Sequence, residues 1–149
     1  MEYDKLEFET TFKNGDMIPV EYTGYGKNIS PEFRIKNLSD KAKSLVIILE
    51  DLSHPIKNFT HWIAWNIKAN SVIPENVENM DNVMQGIAYG FHKYAGAKPP
   101  KFQKHNYKYT IYSLDNILEL SSNIMKKKLL KAMDGHILQK GTIIGYFKR

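Results

Sequence analysis

Cysteine is missing from all 149 residues, which removes disulfide frameworks, thiol nucleophiles and thiolate metal sites together. No apolar run approaches the roughly 20 residues that a membrane-spanning helix needs, and there is neither a repeat nor a low-complexity tract. The His-Glu-x-x-His pattern of zinc hydrolases and the Gly-x-Ser-x-Gly nucleophile elbow are both lacking, so neither chemistry has its usual signature. Residues 1–9 are acidic and alternate polar with apolar, the opposite of a basic, then apolar, secretory leader. A cytoplasmic location is the resulting expectation.

What is present reads as one ordinary globular domain spanning 1–149. Hydrophobic residues make up 42% and charged residues 25%, values that allow a real core and argue against disorder. The net charge is +5, which favours polyanions in general. The lysines are scattered, however, and the densest group (Lys126, Lys127, Lys128 and Lys131) would spread around a helix rather than form one stripe. No specific nucleic-acid partner is expected.

Taken in order, residues 6–12 alternate with period two and predict a strand. Asn14 and Gly15 give a turn signal, residues 17–22 an extended segment, and residues 24–31 a Gly/Asn/Pro loop. Residues 32–36 predict a short strand. The run Leu45, Val46, Ile47, Ile48, Leu49 predicts a strand buried on both faces, ended by Asp51 and Pro55. Residues 59–67 give the clearest strand, with Phe59, His61, Ile63, Trp65 and Ile67 on one face and Thr60, Trp62, Ala64 and Asn66 on the other. His61 is thus a polar residue in an apolar row. Residues 68–90 read as a long connection with little regular structure. Residues 115–122 read as a turn region. A helix is predicted over 123–133, capped by Ser122 or Asn123, with Met125, Leu129 and Met133 as its apolar row and Gly135 as its stop. Residues 136–146 predict two short strands around Lys140 and Gly141. Many short strands and one late helix make a mainly β protein, most simply a sandwich of two sheets.

The stretch from Tyr94 to Tyr112 concentrates the functional signal. Its first part, 94–104, holds Pro99 and Pro100 and so excludes regular structure. From Asn106 on, Tyr107, Tyr109 and Ile111 alternate with Lys108, Thr110 and Tyr112, a strand pattern. His105 falls where the stiff loop meets the strand. A rigid loop that delivers an imidazole and a phenol to a strand end is a common way to build a small pocket.

Several segments together resemble the phosphatidylethanolamine-binding protein (PEBP) family, in particular its short prokaryotic Raf-kinase-inhibitor-like branch. They are Asp51 to Pro55, then Phe59, Thr60, His61 and Trp62, then Tyr94, Ala95 and Gly96, then Pro99, Pro100 and Lys101, and finally His105, Asn106 and Tyr107. Flanking matches at Ile18 and Pro19, Tyr22 and Thr23, residues 28–31, residues 73–75, residues 132–136 and Gly145 with Tyr146 extend the resemblance over nearly the whole chain, in order. It implies a large central antiparallel sheet packed on a smaller one, with a small pocket at one end that accepts anions. The pocket positions that correspond here are Asp51, His61, Pro100, His105 and Tyr107, with Tyr94 and Gly96 shaping the rim. The implied ligands carry phosphate or carboxylate groups, such as phosphate, phosphoethanolamine or an acetate-like acid, or a phosphorylated partner protein. The resemblance also implies a non-enzymatic role, modulation of a kinase or protease, and a homodimer; no cofactor or metal is expected.

The sequence departs from the family pattern at three places. The usual Asp-Pro-Asp-x-Pro is Asp51, Leu52, Ser53, His54, Pro55, which trades a carboxylate for a hydroxyl. His-Arg-Tyr becomes His105, Asn106, Tyr107, without the arginine that supports the sheet. Gly-Pro-x-Pro-Pro becomes Gly96, Ala97, Lys98, Pro99, Pro100. The net result is a more positive pocket mouth. The residue chemistry suits an anion, since histidine is charged or neutral near pH 7 and tyrosine donates a neutral hydrogen bond. Asp51 suits such a site only by holding a histidine. The rival reading is an enzyme: a hydrolase around Ser53, or a metal-dependent one using Asp51, His61 and His105. His54, His92 and His136 read as loop or surface residues.

Overall fold

The computed structural model describes residues 3–149; Met1 and Glu2, part of the segment compared above with a secretory leader, lie outside the described residues. Two sheets pack face to face. The larger has six strands: β1 (Asp4–Lys5), β4 (Ser44–Asp51), β5 (Phe59–Lys68), β7 (Met84–Gln85), β8 (Lys104–Leu114) and β9 (Ile137–Lys148). Their spatial order is β1-β9-β8-β4-β5-β7. The smaller has β2 (Phe8–Thr10), β3 (Phe33–Ile35) and β6 (Val72–Ile73), in the order β2-β3-β6. One helix, α1 (Lys126–Met133), covers the far face of the large sheet. Among the described strands all pairings are antiparallel except β1 with β9, so the expected antiparallel sheet carries one parallel edge.

β4 is the axis of the molecule. Every residue from Ser44 to Asp51 is buried, because β8 and β5 flank it and both of its faces are covered. Leu45, Ile47 and Leu49 face the small sheet beside Tyr107, Tyr109 and Ile111. Val46 and Ile48 face α1 beside Ile63, Trp65, Leu129 and Met133. Burying one such aliphatic side chain is worth about 1.5–3 kcal/mol, so a strand covered on both sides dominates the local energetics.

Period-two logic fails in β5. Leu49 pairs with Trp62 but Glu50 pairs with Thr60, so His61 is an extra residue in a bulge. A second bulge lies where Leu45 pairs with Ile67 and Ile47 with Ala64. There Asn66 adopts φ +57° and its side chain bonds both backbone groups of Leu118 at 2.9 Å. Bulges re-aim side chains. Ile67 therefore joins Trp62 and Ala64 in the core beneath the small sheet, not Ile63 and Trp65. His61 likewise leaves the predicted row: its ring lies against Tyr107, on the Asp51 side of the sheet.

Other expectations need correction too. Of the strand expected over 6–12 only Phe8–Thr10 is a strand, β2 of the small sheet; β1 lies before it in the large sheet, and the chain crosses between the two at Leu6 and Glu7. Residues 17–22 are not one extended segment but end in a 3-10 turn, Val20–Tyr22, after Pro19. The 68–90 connection contains β6, β7 and a 3-10 turn, Val77–Asn79. The helix begins three residues later than expected and has no side-chain cap from Ser122 or Asn123, although Gly135 does end it at φ +83°. The last two strands are one continuous strand of 12 residues. Gly141 marks no turn there. A Cβ on it would lie 2.1 Å from the Leu6 carbonyl oxygen, so glycine is the residue that lets the N-terminal chain cross β9. Among the described residues no helix is long and apolar enough to cross a membrane.

Candidate anion pocket

The C-terminal end of β4, the β5 bulge and the start of β8 meet at one end of the large sheet. Asp51 pairs across to Tyr107 on one side and Phe59 on the other. This register is why residues 54 positions apart touch. The Asp51 carboxylate is 3% exposed and is held on both oxygens. Oδ1 accepts the Ser53 N–H at 2.8 Å, and Oδ2 accepts from His105 Nδ1 at 2.7 Å. On its far side, His105 Nε2 meets Gln103 Oε1 at 2.9 Å. Asp51 therefore holds a histidine, the role that makes a carboxylate compatible with an anion site.

His61 is held differently. Its Nδ1–H donates to the Ala95 carbonyl at 3.0 Å, so the proton that comes and goes is the one on Nε2. Nε2 stands 3.9 Å from Asp51 Oδ2. Burial pushes the imidazole pKa below its usual 6.5, partly offset by the Ala95 carbonyl and the Asp51 charge. Tyr107 completes the group, its ring 5.5 Å from that of His61 and edge-on to it. Burial and then the Asp51 charge raise the phenol far above its ordinary value. Its Oη is buried with no hydrogen-bond partner among the described residues; the Lys98 backbone lies nearby without hydrogen-bond geometry. An orphaned buried hydroxyl costs about 1–3 kcal/mol, and such atoms are few in a native fold.

The loop from Tyr94 to Gln103 forms the outer wall. Gly96 donates its N–H to Asn28 Oδ1 at 2.8 Å and lines a cavity of about 150 Å³ with Tyr89, Ala95, Lys93 and Lys98. The two lysines give this cavity its positive charge. Tyr94 is turned inward, its hydroxyl bonded to the Tyr22 carbonyl and to the Tyr109 hydroxyl; it braces the wall from behind. Pro100 is exposed, with its carbonyl accepting from the Gln103 N–H. The structure thus groups Asp51, His61, His105 and Tyr107; Gly96 lines the adjoining cavity, the Tyr94 hydroxyl is engaged by Tyr22 and Tyr109, and Pro100 is exposed. None of the four grouped side chains lines the cavity itself, which adjoins them through Ala95, whose carbonyl holds His61, and through Tyr89, whose ring packs on His61.

Three contributors escape a reading of the sequence. Ala95 acts only through its carbonyl, and Gln103 acts through a loop geometry that no motif announces. Tyr89 packs its ring 4.7 Å from His61, and its signal was the Tyr89-Gly90 turn. The arginine absent at Asn106 is replaced by backbone ties: Asn106 N–H donates to Ser53 Oγ at 2.8 Å, and Leu52 N–H donates to the Asn106 carbonyl. Ser53 Oγ is thereby committed to structure, with neither imidazole bonded to it. Among the described residues no set of three or more ligands is arranged to hold a metal. His54, His92 and His136 lie in other contacts, stacked on Phe59, near the Gln85 carbonyl and paired with Asp115.

Two unequal sheets packed face to face, with one helix on the far face of the larger, define a β-sandwich. Comparison with known proteins agrees: the phosphatidylethanolamine-binding protein family matches residues 8–148. A UPF0098 protein of Pyrococcus horikoshii is 39% identical over 152 residues, covering 97% of this chain and 77% of that protein. The crystal structure of a PEBP homologue from Chlamydia trachomatis superposes with a TM-score of 0.86 at 30% identity, covering 98% of this chain and 99% of that one. Escherichia coli YbcL shares the fold (TM-score 0.84, 19% identity, 97% of this chain and 99% of that one). The chain belongs to the phosphatidylethanolamine-binding protein family.

Proposed function

We propose that this protein is a non-enzymatic binder of small anions, carrying phosphate or carboxylate groups, in the pocket formed by Asp51, His61, His105 and Tyr107. The observation that carries this reading is the unpartnered Tyr107 hydroxyl beside His61. A ligand oxygen placed between them accepts from the phenol. It also meets His61 Nε2, which donates once protonated or accepts from the acid form of the ligand. Lys93 and Lys98 in the adjoining cavity draw anions in. Free phosphate, phosphoethanolamine and a phosphorylated side chain of a partner protein all present this chemistry. A partner bound in this way, a kinase or protease included, would be modulated by occupancy of its phosphorylated segment.

Tyr107→Phe tests the reading. Deleting an orphaned hydroxyl should leave the free protein as stable or more so, by up to about 1 kcal/mol, while phosphate affinity falls by about tenfold. Thermal melts with and without phosphate measure both. A destabilised variant with unchanged phosphate binding would show that the hydroxyl serves the fold and not a ligand.

A further inference from the structure

A second surface lies around the corner from the pocket. Ile56, Phe59, Ile87 and Met125 line an almost wholly apolar groove of about 580 Å³, with Tyr89 at the end nearest His61. Ile56 and Met125 are 62% and 64% exposed, an arrangement that water disfavours. The floor of the groove is an open sheet edge. β7 pairs with β5 only at Ala64 and Trp65, and the Gly86 N–H reaches the Ile63 carbonyl. The chain then turns away, the Ile87 N–H bonding to the Ile124 carbonyl. Thr60 is left at the groove with β4 on one side and no strand on the other.

The rim is positive. α1 starts at the groove with no side-chain cap and no acidic residue in its first turn, which leaves backbone N–H groups and the positive end of the helix dipole facing out. Lys126 is engaged by Glu50 at 2.6 Å, while Lys127, which lines the groove, is exposed.

We infer that this groove docks an extended acidic segment of a partner protein, which adds a strand along the Thr60 edge of β5. Alternate apolar side chains fill the Ile56/Met125 groove, and acidic ones face Lys127 and the start of α1. A free edge with its backbone groups unpaired, next to side-chain pockets on one face, is the arrangement that strand addition uses. An extended peptide satisfies the edge, the groove and the rim together, whereas an apolar chain alone leaves the edge unpaired. The groove adjoins the His61 pocket through Phe59 and Tyr89, but its occupant is argued from its own lining and not from what fills that pocket.

The test uses the full-length protein labelled with 15N and a synthetic peptide alternating leucine with glutamate. Counterparts carry lysine for glutamate, or serine for leucine. The expected result is saturable perturbation of the Phe59, Thr60 and Met125 amides by the acidic peptide, at least tenfold weaker with either counterpart. Ile56→Asp and Lys127→Glu should each weaken binding by at least tenfold while leaving the phosphate response of His61 intact. Equal binding of the lysine peptide, or no perturbation at Thr60 at millimolar peptide, would overturn the proposal. Perturbation of these amides by anionic phospholipid vesicles but not by the peptide would overturn it in favour of a membrane surface.

Discussion

Asp51→Ala is expected to lower the stability of the protein by about 3 kcal/mol and to abolish anion binding. The carboxylate is buried and accepts two hydrogen bonds, from the Ser53 N–H and from His105 Nδ1. Its removal strands both donors at a site that is 3% exposed. A group hydrogen-bonded to a charge loses more than a neutral pair does. For a domain of this size the loss corresponds to a fall in melting temperature of about 10 °C. Asp51→Asn separates the two effects, because the amide oxygen keeps one of the bonds. It should recover part of the stability, and His105 should still fail to settle in its present position. A melting temperature unchanged in Asp51→Ala would contradict the view that this carboxylate organises the pocket. His105→Ala belongs to the same group: it leaves a buried carboxylate with one partner fewer, so a stability loss is expected beside any loss of binding.

Gly96→Ala is the second large effect. A Cβ at this position would lie 2.2 Å from the Tyr22 carbonyl oxygen and 3.0 Å from both Asn28 Oδ1 and the Thr23 Cα. Two of these atoms are backbone and cannot swing aside. The Tyr22 carbonyl is fixed further by the Tyr94 hydroxyl at 2.8 Å. The wall must therefore shift outward, breaking the Gly96 to Asn28 bond that seats the loop. The expected cost is about 2–3 kcal/mol, measured by chemical denaturation. Phosphate affinity should fall with it, since Ala95, the next residue, holds the His61 ring. Retention of wild-type affinity and stability would show that the loop is looser than its contacts imply.

How much of this was legible beforehand depends on the kind of signal. β4 and β8 were plain, because an unbroken apolar run and an alternating aromatic row report burial directly. The bulge at His61 was not, because one extra residue leaves no mark in a sequence read with period two; only the register with β4 exposes it. That extra residue is what brings His61 to the Asp51 side. The chain crossing at Leu6 and Glu7 was hidden for a related reason: alternation continues smoothly while the partner sheet changes. Gly141 misled because glycine serves turns and close approaches alike. At the site, motif order pointed to Asp51, His61, His105 and Tyr107, which the structure brings together. The roles of Ala95 and Gln103 were invisible, the first because it acts through its backbone and the second because a loop conformation places it.

The most direct test follows the histidine rings by 15N NMR while phosphate is added at pH 7.5 and pH 6. Burial holds His61 neutral above its lowered pKa, with Nδ1–H fixed on Ala95. An anion at Nε2 stabilises the charged ring, so binding takes up a proton and is tighter at the lower pH. Acetate, which keeps its single charge across this range, separates the protein's titration from that of phosphate. The account predicts that the His61 Nε2 signal moves toward the protonated form on binding, that the His105 ring responds with it, and that affinity for both anions rises from pH 7.5 to pH 6. Saturating phosphate that leaves the His61 ring unmoved at both pH values would contradict it.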